Sequence, residues 1–485
     1  MYGSSYNISM EHGVRGKNLQ GFSFASPPPL EKTDMAWPCH SWYSQNMDAT
    51  EQKKFLGLLE KELMIAMGCT EPAASALAGA KAGELLGLPP EHVIVSTSRD
   101  MVKNAMGVGL PHCDLHGIQA AVALGIAGGD CSKGLGILSV ITDEQQRIAV
   151  RMAEENRVAL QLVSDVPPLY ISVSVTAGAE SAQAVISGEH DRFCKLVKNG
   201  EVLLDLGLVP DAKSESVDTI SCEQLASMSL DDIIAFAGQA PRRALDIVLD
   251  AARTNMEIAR HAVANNYGLS VGRIAGEELS DEPRSLAEAF SLGASLAAAA
   301  SDARMAGCPL PVVINSGSGN QGITVTVPVA VLASFLKKSD DELGRALCVS
   351  ELVGLALTAR KDRLSALCGA FTAAIGTTCA MVYLLGGDRI VMDRAVNTMV
   401  GNLTGIICDG AKMTCALKIY SCVEAAALSC RLAFKGFAPG IESGIVGKDS
   451  LQSIDFLSRI SHEGMEQTDR TILSIMLDKQ RCEDR

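Results

Sequence analysis

Apolar and polar positions alternate with different periods in successive parts of the chain. Over "ATEQKKFLGLLEKELMIAMG" the apolar residues recur three and four apart, which predicts an amphipathic helix that breaks at Gly68. "TEPAASALAGAKAGELLG" predicts a second helix, with Thr70 as its N-cap and Glu71 and Pro72 in its first turn. From about residue 91 to 208 the runs shorten. "HVIVSTS", "GLGILSVI", "RVALQLV", "LYISVSVTA" and "AQAVISG" are β-branched stretches bounded by Gly, Pro or Asp, and they predict strands. From roughly residue 223 the pattern returns to long Ala- and Leu-rich helices, such as "ELSDEPRSLAEAFSLGASLAAAASDARMAG". The expected fold class is α+β. Residues 47–90 and 209–485 form a mainly helical catalytic domain, and residues 91–208 a smaller α/β sheet domain inserted into it. Residues 1–46, with "SPPPL" and no periodic pattern, are expected to be a poorly ordered extension that holds both tryptophans, Trp37 and Trp42.

One run departs from amphipathic patterning. Residues 364–387, "LSALCGAFTAAIGTTCAMVYLLGG", carry no charge over 24 positions, long enough to span a bilayer. Ser365, Thr372, Thr377, Thr378 and four glycines interrupt it, which favours a buried core helix over a membrane span. Hydrophobic residues make up 47% of the chain and charged residues 20%, so much of it must be interior. At 485 residues there is room for two or three domains. A net charge of −14 without any basic run excludes nucleic acid and anionic membrane surfaces as partners. Fifteen cysteines are an odd number and cannot all pair, and "MYGSSYNISMEHGVRGKNLQ" has no signal-peptide character. Reduced thiols in a cytoplasmic protein are therefore expected.

Three features carry candidate chemistry. Cys69 in "GCTEP" (68–72) immediately precedes a helix start, where backbone N–H groups and the helix dipole favour a thiolate. Such a group serves as nucleophile, base or metal ligand, or it is simply a buried thiol at a tight turn. "NSGSGNQG" (315–322) can present consecutive N–H groups to an anion, a carboxylate or a phosphate, although it matches neither the P-loop nor the dinucleotide fingerprint. It can equally be a tight connection. Cys408 and Cys415 lie in "ICDGAKMTCALK" (407–418), with Cys368 some way upstream. In a straight helix the first two would share a face about 10 Å apart, too far for one ion. Gly410 lets the backbone leave helical geometry, so that Cys408 can lean from a loop toward Cys415. The spacing lacks the paired C-x-x-C pattern of structural zinc, and core cysteines remain the plain alternative. Cys422 and Cys430 compete, since Cys422 continues the seven-residue stripe.

Taken together, "GCTEP", "VKNAMGVGLP", "SDARMAG", "NSGSGNQGI", "LSALCGA", "ICDGAKMTCALK" and "SHEGMEQTDRTILSIM" resemble the L-cysteine desulfidases of the serine-dehydratase alpha-chain superfamily. The motifs run in family order from about residue 50 to 478. The resemblance implies α,β-elimination of L-cysteine to sulfide, ammonia and pyruvate, using a [4Fe–4S] cluster rather than pyridoxal phosphate. It implies Cys368, Cys408 and Cys415 as cluster ligands and Cys69 as the base that removes the Cα proton or as a group that temporarily caps the open iron. Ser316, Ser318 and Asn320 would cradle the substrate carboxylate with help from Asn104, and Arg304 either joins them or stabilises helix packing. L-Serine dehydration is the alternative within the class. A pyridoxal phosphate enzyme using Lys103 or Lys412, and a membrane or metal-storage protein, are the readings outside it. One departure stands out: "HCDLHG", His112 to Gly117, replaces the family's small Gly-Thr-Gly turn, so His112 or Cys113 could reshape the pocket. The only partners expected are a small amino-acid substrate and a second copy of the chain, in a homodimer.

Overall fold

The computed structural model describes residues 47–111, 115–208, 220, 222–361 and 365–483. The extension over residues 1–46, with its two tryptophans, and His112 and Cys113 lie outside them. The chain divides into two units, Met1–Pro38 and Cys39–Arg485, and every described residue belongs to the second.

Helix α1 (Ala49–Glu62) starts where Asp48 accepts a hydrogen bond from the Glu51 N–H. The apolar pattern continues to Met67, but the helix ends at Glu62, and Ile65–Met67 form strand β1. The difference has a tertiary cause: β1 pairs antiparallel with β8 (Pro311–Val313), some 250 residues downstream, with Ile65 opposite Val313. Next come α2 (Thr70–Leu86), β2 (His92–Thr97), α3 (Arg99–Ala105), α4 (Gly117–Gly128) and α5 (Asp143–Glu154). Strands β3 (Val158–Leu162), β4 (Tyr170–Ala177), β5 (Glu180–Ser187), β6 (Phe193–Lys198) and β7 (Glu201–Asp205) complete a six-stranded sheet of order β3-β2-β4-β5-β6-β7. Only β2 and β3 run parallel; the remaining pairs are antiparallel. The inward positions Val93, Val95, Ile171, Val173 and Ile186 pack with apolar residues of α2 and α4 into one core.

The stretch "GLGILSVI" is not a strand. Residues Cys131–Val140 form a 3-10 segment, in which Leu135, Ile137 and Leu138 are all buried. An apolar run of this length fits a strand or a buried helical turn equally well by periodicity, and Gly134, at φ +50° and ψ −129°, kinks the helical segment that forms.

The remainder is helical: α6 (Cys222–Ser227), α7 (Leu230–Gln239), α8 (Arg242–Ala264), α9 (Val271–Ala275), α10 (Leu286–Met305) and, after β8, α11 (Gly319–Phe335). Then follow α12 (Asp340–Lys361), α13 (Gly369–Leu384), α14 (Arg389–Leu403), α15 (Cys415–Phe434), α16 (Ser450–Arg459) and, beyond a π-helical turn at Ile460–Gly464, α17 (Met465–Glu483). The uncharged run becomes α13, surrounded by α11, α12, α14 and α15. Small residues make this possible. A Cβ on Gly376 would lie 2.4 Å from the Ser350 carbonyl oxygen, so α13 rests directly on the α12 backbone. No helix among the described residues is long and apolar enough to cross a membrane.

Glu351 of α12 is fully buried in this core. One of its oxygens accepts from Asn315 Nδ2 at 2.7 Å, while the other has no hydrogen-bond partner. Burial pushes the carboxyl up to about 8, against the opposing pull of the Asn315 hydrogen bond. Between about pH 4.5 and 8 the folded chain therefore holds a proton that the unfolded chain has lost, and stability falls as pH rises through this window. Glu351→Gln is neutral throughout. Its melting temperature is expected to gain on the wild type progressively across the window, which thermal melts at a series of pH values will measure.

Candidate active site

The short β1–β8 pairing brings two loops to one place. β1 runs into "GCTEP" and β8 into "NSGSG", and the Thr70 hydroxyl donates to the Gly317 carbonyl at 2.7 Å, tying the loops together. Cys69 occupies the N-cap position of α2, one residue before the Thr70 that the pattern favoured, and makes no side-chain capping bond. In the second loop Asn315 and Ser318 exchange backbone hydrogen bonds around Ser316, whose φ is +52°. Ser318 then caps α11, accepting from the Gln321 N–H. Arg304, from the last turn of α10, is buried and donates from Nε to the Gly68 carbonyl at 3.0 Å. Ser301 fixes the Asn320 amide at 3.1 Å.

The cysteines arrive on the opposite wall. Leu367 and Ile407 form an isolated antiparallel bridge, flanked by Cys368 N–H to Ile406 O at 3.1 Å and Cys408 N–H to Ala366 O at 2.6 Å. Cys408 is thus on a loop, and Cys415 is the first residue of α15. Gly410 between them has φ +89°, and a Cβ there would stand 2.1 Å from the Lys103 carbonyl oxygen. The cysteine loop therefore lies directly on the end of α3, and the Ala411 N–H donates to Asn104 O at 3.2 Å. The C-terminal helix braces the arrangement: Asp469 pairs with buried Lys103 and accepts from the Ala366 N–H at 2.8 Å.

The residues that the resemblance implies as ligands, base and substrate cradle meet in one cavity. Cys69 and Asn104 line it, as do Ser316, Ser318 and Asn320 of the glycine-rich loop, and so do Cys368, Cys408 and Cys415. Cys422 and Cys430 do not; both are fully buried in α15. Lys103 and Lys412 do not line it either. The Lys103 ammonium is engaged by Asp469, and Lys412 donates to the carbonyls of Lys103 and Ala411. Glu71, His190, Lys361 and Lys418 also line it, and none of them was weighed for chemistry from the sequence. Glu71 had a legible signal, as the acid of "GCTEP". His190 lies in the turn between β5 and β6, and only the fold carries it to the cavity.

Electrostatics change the expectation for Cys69. Burial first, and then the charge of Glu71, pushes the thiol far up, while Arg304 pulls the other way without offsetting them. The thiol donates to Glu71 Oε2 at 2.9 Å. Burial also opposes ionisation of Glu71, but the pull of His190, the Cys69 hydrogen bond and Arg304 outweigh it and hold the carboxyl below its usual range. The α2 N-terminus thus favours the carboxylate two residues away, and Cys69 keeps its proton. On the other wall the hydrogen bond from Cys368, assisted by Lys103 and Lys418, brings Cys408 down to about 6 against the cost of burial. Cys368 moves up, first through that same bond and then through burial.

Among the described residues no three His, Cys, Asp or Glu side chains close around a single ion. A cubane is wider than an ion, so its thiolates stand apart. Three sulfurs facing one cavity, one of them readily ionised beside two lysines, are the donor set such a cluster takes. The residues present fit the group.

A cavity lined by Cys368, Cys408 and Cys415 and by the N-terminal ends of α2 and α11 thus sits in a mainly helical body that also carries a mixed sheet. The family model for the serine dehydratase alpha chain matches residues 132–474, and the chain belongs to that family. Relatives extend the likeness over nearly the whole chain. A UPF0597 protein of Oleidesulfovibrio alaskensis is 42% identical over 429 residues, covering 88% of this chain and 99% of its own. A UPF0597 protein of Bacteroides fragilis is 40% identical, covering 89% and 100%, and one of Aeromonas hydrophila is 38% identical, covering 88% and 96%.

Proposed function

We propose that the protein eliminates the β-substituent of a small L-amino acid, with L-cysteine as substrate and sulfide, ammonia and pyruvate as products. The observation that carries this reading is convergence: Cys368, Cys408 and Cys415 share a cavity with the N-terminal ends of α2 and α11. Cys368, Cys408 and Cys415 would hold a [4Fe–4S] cluster, which when bound supplies a Lewis acid soft enough to favour sulfur as the leaving atom. The remaining work falls to the chain's own groups. Ser316, Ser318 and the opening N–H groups of α11 receive the substrate carboxylate, as anions are received at helix N-termini. Asn320, fixed by Ser301, sets the width of that cradle, and buried Arg304 adds positive charge behind it. Asn104, anchored on Glu71 at 3.0 Å, orients the amino acid from the side. Cys69 stands where the Cα proton is to be received, once its own proton has somewhere to go. L-Serine dehydration is the second reading, favoured by the family match itself. The pyridoxal phosphate reading has less support, because neither lysine proposed for the Schiff base faces the cavity.

The deciding experiment compares L-cysteine and L-serine on anaerobically purified, iron- and sulfide-reconstituted protein. Pyruvate with equimolar sulfide from L-cysteine, at a higher kcat/KM than pyruvate from L-serine, is the expected result. Turnover of L-serine alone selects the second reading. Absence of pyruvate from both, with the cluster intact, overturns the proposal.

A further inference from the structure

We infer that Glu71 is a catalytic residue of this site, the terminal acceptor of the Cα proton, reached through the thiol of Cys69. The inference rests on the lyase reading above and deepens it.

Glu71 lies in the first turn of α2, buried in the cavity wall. Its oxygens are divided: Oε2 accepts from Cys69 Sγ at 2.9 Å, while Oε1 accepts from Asn104 Nδ2 at 3.0 Å. The charged and titratable groups around it are Cys69 on its own turn, Arg304 from α10 and His190 from the sheet domain, and together they leave the carboxylate ionised and the thiol neutral. A neutral thiol is a poor base by itself. With a carboxylate at its back it becomes a relay. Its sulfur takes the Cα proton while its own proton crosses 2.9 Å to Oε2 of Glu71. The electron pair of the Cα–H bond becomes the Cα=Cβ bond, and the pair of the Cβ–S bond departs with hydrosulfide. Glu71, now a carboxylic acid, gives its proton to hydrosulfide, so hydrogen sulfide leaves and the starting thiol–carboxylate pair is restored. One proton has moved from Cα to the leaving group, and no oxidant or reductant is consumed. A structural role, in which Glu71 only stabilises the α2 N-terminus and steadies Asn104, predicts no such coupling.

The test is Glu71→Gln in the reconstituted holoenzyme with L-cysteine. Its kcat is expected to fall about 1000-fold with little change in KM, in the range general acid–base groups contribute. A second readout needs no turnover: the pH dependence of iodoacetamide alkylation at Cys69, followed by mass spectrometry of its peptide. Without the neighbouring negative charge the alkylation midpoint is expected to move to lower pH. Glu71→Asp keeps the charge and shortens the reach, so kcat should fall while Cys69 stays slow to alkylate; it also serves if the Gln variant fails to fold. A Gln variant with kcat within threefold of wild type, or an unshifted Cys69 profile, overturns the inference. If the wild type itself makes no pyruvate, the lyase reading fails, and the alkylation comparison still decides whether Glu71 governs the Cys69 proton.

Discussion

Replacing any one of Cys368, Cys408 or Cys415 with alanine is expected to strip reconstituted protein of iron and acid-labile sulfide and to abolish turnover, whereas Cys422→Ala keeps both. The three residues face a common cavity, Cys368 from the start of α13, Cys408 from the loop before α15 and Cys415 from the first turn of α15. Cys422 lies seven residues into α15, about 10 Å along its axis, and is fully enclosed. Its replacement removes a small buried hydrophobe and should cost about 1 kcal/mol of stability. Iron and sulfide per chain, with the visible absorption band, measure the outcome. Full iron retention in one of the three variants removes that residue from the ligand set, and loss of iron in Cys422→Ala moves the set by one heptad.

Gly410→Ala is expected to destabilise the chain by about 2–5 kcal/mol and to lower its capacity for iron. Two penalties coincide at this residue. Its φ of +89° disfavours any side chain, and the new methyl would overlap the Lys103 carbonyl at 2.1 Å, backbone that cannot rotate aside. Relief requires the loop carrying Cys408 to lift from α3, which pulls that sulfur away from Cys368. Gly405→Ala is the control, because a Cβ there meets nothing within 4 Å. Thermal melts and iron content of the two variants should diverge. If Gly410→Ala melts with the wild type and takes up iron fully, the close approach of loop to helix is dispensable.

Helices α2 and α10 and strands β2 to β5 were legible because local period and tertiary environment agree there. Strands β6 and β7 were not read from "RFCKLVKNGEVLLD", whose charges dilute the alternation. The signal was present in the turn: Asn199 and Gly200 both have positive φ, as a two-residue hairpin requires. β1 was hidden in the tail of a helical pattern, since its only reason to be a strand is a partner hundreds of residues away. The site shows the same division. Cys69 and the glycine-rich loop could be named from local chemistry and Gly410 gave the reason for a bend, whereas the cysteine trio was preferred over Cys422 only through the family resemblance. His190 could not be placed, because its approach depends on how the sheet packs against α2. The protonation of Cys69 was misjudged for a related reason: a helix terminus was weighed without the carboxylate and the burial that accompany it.

The contacts of Asp469 make the cysteine loops depend on α17. Its carboxylate joins Lys103 of α3 to the Ala366 amide, two segments more than 250 residues apart in sequence. A single side chain thus latches the bridge that sets Cys368 beside Cys408, while Leu473 of the same helix is buried in the sheet core. Loss of α17 would therefore take the latch from the cavity and a buried contact from the sheet core together.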